Sequence, residues 1–86
     1  MNRQELLDTA AKITKGDREK NYGSPEDNFG RIAELWSTYL GWDVSASDVA
    51  AMMVLMKVAR IAHDPKHIDS WVDIAGYAAC GGEING

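Results

Sequence analysis

In KVARIAHDPKHIDSWVDIAGY, residues 57–77, two apolar helices meet at a turn. The stretch puts two cations, Lys57 and Arg60, on one apolar helix and two carboxylates, Asp69 and Asp73, on the next. Asp64-Pro65 ends the first helix and starts the second, and so short a turn makes the two helices antiparallel neighbours. At helical spacing Asp69, Asp73, Gly76 and Cys80 fall on one line. Trp71, Ile74 and Ala78 flank that line on one side; Ile68, Val72, Ala75 and Ala79 flank it on the other. The acids therefore sit in a seam between apolar flanks, and Gly76 lets another element approach closely one turn below. Lys57 and Arg60, three residues apart, lie near one another. Buried cations require partners, and Asp69 and Asp73 are the nearest in sequence.

Working back from this seam, Ser45-Ala46-Ser47-Asp48 has the spacing of a capping box, with Asp in place of Glu. The helix it opens runs to about His63, and Val49, Met52, Met53, Val54, Leu55, Met56, Val58, Ala59 and Ile61 cover nearly every direction around it. A helix without a polar face is central, buried by its own chain or by a partner subunit. Upstream, Ser24 as N-cap, Pro25 at the first helical position and Glu26 and Asp27 in the first turn begin a helix that stops at Gly41. Its apolar stripe is Phe29, Ile32, Ala33, Trp36 and Leu40, with Glu26 at the edge. GDREKNYGS, residues 16–24, reads as a polar loop in which Tyr22 either packs on the next helix or stacks on a base. Residues 2–15 form a first helix ended by Gly16. At the other end Gly81-Gly82 close the last helix, and the following EING is a frayed tail. The expectation is an all-α single domain over residues 1–86: four helices in a compact antiparallel bundle, its core completed by oligomerisation, because a chain this short buries little surface alone.

Composition narrows the function classes. Hydrophobic residues make up 45% and charged residues 26%, a globular balance. The net charge of −4 shows no basic stripe, which argues against nucleic acid as a partner. A single cysteine, Cys80, excludes an internal disulfide framework and fits a reducing cytoplasm. The run AAMMVLM is too short to cross a bilayer. Ser70 follows His67 by three residues, which is adjacency on one helix rather than a nucleophilic triad. No catalytic residue is assigned.

Two readings of the seam follow. In one, Lys57 and Arg60 neutralise Asp69 and Asp73 in an internal ion-pair network of a structural assembly module. In the other, the carboxylates hold a divalent cation such as Mg²⁺, which prefers oxygen ligands, and Lys57 or Arg60 binds phosphate.

DREKNYGSPEDNFGRIAELWSTYL, SASDVAAMMVLMKVARIAH and DSWVDIAGYAA together resemble a family of small phage and prophage proteins of unassigned function, over residues 14–80. More distantly, the K-x-x-R helix followed by D-S-x-x-D-x-A-x-Y is similar to phage nucleotide-modification-associated proteins and to MazG-type all-α nucleotide pyrophosphohydrolases. That wider likeness implies hydrolysis of nucleoside triphosphates to monophosphate and pyrophosphate, Mg²⁺ held by acids on a four-helix core, and dimers or tetramers. In the enzyme reading Asp69, Asp73 and Glu26 or Asp48 hold the metal, Lys57 and Arg60 the phosphates, and Tyr22 or Tyr77 the base. The wider group's first acidic cluster, E-E-x-x-E, has no counterpart, and Glu26 alone stands for it. The competing reading is a non-catalytic oligomer, acting in the cytoplasm of the infected or lysogenic bacterium, that captures a nucleotide signal or a host protein.

Overall fold

The computed structural model describes the backbone of residues 1–86 and every side chain except those of Asp17 and Arg18. Five helices follow one another: α1 Arg3–Thr14, α2 Asp17–Tyr22, α3 Pro25–Leu40, α4 Ala46–His63 and α5 Ile68–Asn85. The all-α expectation holds, and the described residues contain no strand.

Most boundaries follow from the caps. The Ser24 hydroxyl accepts from Asp27 N, Pro25 occupies the first turn, and Gly41 ends α3 in the left-handed conformation at φ 66°. Ser45 and Asp48 form a complete capping box, each side chain bound to the other's backbone N–H. The α3–α4 connection is clipped shut by Ser37, whose hydroxyl accepts from Val44 N at 2.8 Å and donates to Val44 O at 3.2 Å. At the α4–α5 turn, His67 N donates to Asp64 O, and Trp71 Nε1 reaches back to Pro65 O at 2.9 Å. Helix α5 thus opens at Ile68 rather than at Pro65. Ser70, fully buried, is satisfied by His67 Nδ1 at 2.8 Å, which makes this pair a local lock on the helix start.

Three expectations need correction. The segment read as a loop contains α2, one and a half turns long, bracketed by Gly16 (φ 65°) and Gly23 (φ 84°). Those two glycines supply left-handed backbone at both ends, which composition registers as a loop. Secondly, α5 runs through Gly81-Gly82 to Asn85, so the tail is helical. A Cβ on Gly81 would meet Ala50 Cβ at 3.2 Å, so this glycine is a point of close contact with α4 rather than a stop. Asn85 Nδ2 then ties the end of α5 to Ser47 Oγ and to Gly81 O. Thirdly, the helix at the centre is α5, which packs on α1, α3 and α4. Helix α4 buries one side only: Val49 and Ala50 join Phe29 and Ala33 in the core, while Met52, Leu55, Met56 and Val58 are exposed.

Gly76 admits α1: a Cβ there would lie 3.2 Å from Thr14 Cγ2, and Thr14 is held in place by donating its hydroxyl to Ala10 O. Gly76→Val should therefore wedge α1 off α5, costing about 1–3 kcal/mol. Gly30 has open space around its missing Cβ, so Gly30→Ala should gain about 0.5–1 kcal/mol from helix propensity alone. Thermal melts of the two variants check both signs; equal behaviour would contradict the contact assigned to Gly76.

Candidate functional site

Lys57 lies mid-way along α4 and Asp73 in the second turn of α5, and the antiparallel pairing sets them face to face. Lys57 Nζ and Asp73 Oδ2 are 2.9 Å apart, with the lysine side chain 14% exposed and the carboxylate 31% exposed. This is the only salt bridge among the described residues. A mostly buried ammonium held by one carboxylate is stable only while both partners are present. The ion-pair half of the sequence reading is correct for this pair. It does not extend to Arg60 or Asp69, both exposed and without an ion pair among the described residues.

Asp73 also faces a pocket. Helices α1, α2, α3 and α5 enclose about 40 Å³ between Ile13, Thr14, Glu19, Tyr22, Asn28, Phe29, Asp73 and Tyr77. That volume is room for about three waters. One part of the wall is a ring pair, Phe29 and Tyr77, with centroids 6.3 Å apart and planes at 45°. Another is α2, which contributes Glu19 and Tyr22 and is flanked by the two left-handed glycines. Tyr22 is 54% exposed and stands at the mouth. Asn28 and Asp73 supply an amide and a carboxylate to an otherwise mostly apolar lining.

Three of the residues singled out in the sequence, Tyr22, Asp73 and Tyr77, therefore meet in one pocket, with Lys57 behind Asp73. The others do not join them. Glu26 is exposed in the first turn of α3, along a shallow groove with Arg31 and Glu34. The Asp48 carboxylate accepts from Ser45 N as a helix cap. Asp69 is exposed in the first turn of α5. Arg60 lines a separate shallow recess with Met56, Ala59 and His63. The structure does not bring Asp69, Asp73, Glu26 and Asp48 together. No three His, Cys, Asp or Glu side chains gather among the described residues where they could share a metal ion. Each acid has a local reason for its position: two begin helices, one caps one, and one pairs with Lys57.

Sequence reasoning missed Asn28, Glu19 and the α1 wall of Ile13 and Thr14. The signal for α1 was present in Gly76, whose small size called for a neighbour. Nothing in the sequence pointed to Asn28 or Glu19.

The comparisons with known proteins agree with the phage likeness. The match to the domain of unknown function DUF6378 runs over residues 5–85. The chain belongs to this family. It is 47% identical over 77 residues to the Gene 55 protein of Mycobacterium phage D29, covering 90% of this chain and 51% of that protein. With the Gene 55 protein of Mycobacterium phage L5 the identity is 46% over 74 residues, covering 85% of this chain and 47% of the relative. The chain thus spans about half the length of these phage relatives. No solved structure matches it. Among the described residues no helix is long and apolar enough to cross a membrane.

Removing one partner of the Lys57–Asp73 bridge should be worse than removing both. Lys57→Met or Asp73→Asn alone leaves a half-buried charge or a buried ammonium unpaired. Each should lose about 1–3 kcal/mol, less than a fully buried pair because the Asp73 end reaches solvent. The double variant should recover part of that loss. Denaturant melts of the four chains measure the coupling; additive losses would show that the pair does not hold the hairpin.

Proposed function

We propose that this chain is a nucleotide-binding member of a phage protein family, taking the base of its ligand beneath α2 without hydrolysing it. The observation that carries the reading is the convergence of Tyr22, Tyr77, Asn28 and Asp73 on one pocket. Tyrosine rings offer faces for stacking, and an amide beside a carboxylate offers a donor and acceptors for a base edge. The pocket is too small for a base as it stands. Its α2 wall is short and flanked by Gly16 and Gly23, the kind of segment that moves aside as a lid. Turnover of the MazG type is not part of the reading, because two-metal hydrolysis needs several carboxylates on one pair of ions. Here Asp48, Asp69 and Glu26 stand apart from Asp73, and Asp73 is committed to Lys57. Mg²⁺ in this reading arrives with the phosphates of the ligand rather than in a protein cage.

A second reading has its own support. The Lys57–Asp73 bridge by itself accounts for the charged seam as the internal pair of an assembly module. That reading requires no ligand.

Melting the protein with a panel of nucleosides and nucleotides, each with and without Mg²⁺, separates the two. A ligand at about 100 times its Kd adds about 2.7 kcal/mol, which raises the Tm of a domain this size by roughly 10–20 °C. Tyr22→Ala should abolish that rise, measured against the variant's own unliganded Tm. No rise with any nucleotide would leave the assembly reading standing. Pyrophosphate release from any triphosphate would overturn binding without turnover.

A further inference from the structure

Helices α4 and α5 are built inside out. Between Val49 and Ala59 the only charged residue of α4 is Lys57, and between Ser70 and Gly82 the only one of α5 is Asp73. Both point into the chain, at each other. The outward sides carry the apolar residues instead. On α4 these are Met52, Leu55, Ala59 and Ala62, recurring at steps of three and four; all are exposed, Leu55 at 65%. On α5 they are Ile68, Trp71 and Ala78, also exposed. A surface helix ordinarily turns its charges to water and its apolar stripe to the core. The contacts Ala50–Gly81, Lys57–Asp73 and Ser47–Asn85 fix which sides of the two helices face each other. Helix α3 packs on α4 and α5 and α1 packs on α5, and neither covers the outward stripes.

We propose that this back face of the α4–α5 hairpin is the interface with a second copy of the same chain, the two hairpins stacking about a two-fold axis into a four-helix bundle. The stripe spacing is that of helices packing nearly in line, as in bundles of this kind. The occupant follows from self-complementarity. Placing Leu55 beside the second copy's Met56 in antiparallel α4–α4 contact sets Met52 against Ala59, large against small. The same register brings Asp48, at the start of α4, to Arg60 and His63 at the end of the other α4, joining opposite charges and opposed helix dipoles. One axis serves both helices. Because Lys57 faces Asp73 and Ala50 faces Gly81, the middle of the α4 stripe is level with Ala75 on α5. Antiparallel α5–α5 contact about that point seats Trp71 on the small surface of Ala78 and Ala79 of the second copy. Two independent stripes thus fit themselves about a single axis, as an isologous interface requires.

Sedimentation equilibrium should find a dimer, and Leu55→Glu, which places two carboxylates near the axis, should weaken it about 100-fold. Because Leu55 is exposed in the single chain, the variant should keep its helical circular dichroism. Orientation is read by disulfide formation in a Cys80→Ser background. Met52→Cys mixed with Ala59→Cys should give the 52–59 cross-link in preference to 52–52. A monomer at about 100 μM, an oligomer indifferent to Leu55→Glu, or preferential 52–52 cross-linking would each overturn the proposal.

Discussion

Lys57 and Asp73 meet at 2.9 Å where α4 crosses α5. Each is the one charge in the middle of its helix, and each turns inward to meet the other. Lys57 is mostly buried and Asp73 is its ion-pair partner, so the register of α4 on α5 is held by electrostatics as well as by packing. Ala50 against Gly81 and Ser47 against Asn85 repeat that register further along the hairpin. With Lys57 and Asp73 turned inside, the middle of the hairpin's outer side is left with apolar residues, and its exposed charges stand towards the helix ends. Its surface is the consequence of its interior.

The same contact links the hairpin to the pocket. Asp73 has Lys57 on one side and the space beneath α2 on the other. Its charge is already compensated by Lys57, while the Glu19 carboxylate lines the same pocket without an ion pair among the described residues. The aromatic wall comes from α3 and α5, another wall from α2, and the floor from the approach of α1 that Gly76 allows. No single helix makes the site.

Much of the fold was legible because caps are local chemistry. Ser24-Pro25 and Ser45 with Asp48 announce their helices within four residues, and Gly41 ends α3 as a left-handed residue would. Helix α2 and the end of α5 were not legible, and the reason is the same twice. A glycine can break a helix, bend the chain into one, or let a neighbour in, and only the neighbour decides which. Gly16 and Gly23 have positive φ and turn the chain; Gly81 lies against Ala50 and keeps its helix. For the site, pairing Lys57 with Asp73 needed only the antiparallel turn. Grouping Asp69, Glu26 and Asp48 with them overlooked that acids favour first turns for reasons of the helix dipole and cap alone. The phage family was readable from long shared motifs, whereas the pocket, drawn from four separate helices, leaves no contiguous trace.

Helix α5 lies against α1, α3 and α4, and it follows all three along the chain. On a growing polypeptide none of the earlier helices can bury its apolar side fully until α5 has emerged. Before α5 emerges, α1 to α4 have the α3–α4 packing and the smaller contacts of α2 with α1 and α3. Closure is then rapid, since α5 is tethered to α4 by a turn that Asp64, Pro65 and Trp71 close with local hydrogen bonds. The arrangement makes the order of synthesis, and not only the final contacts, a determinant of how long these apolar surfaces stay open to other chains.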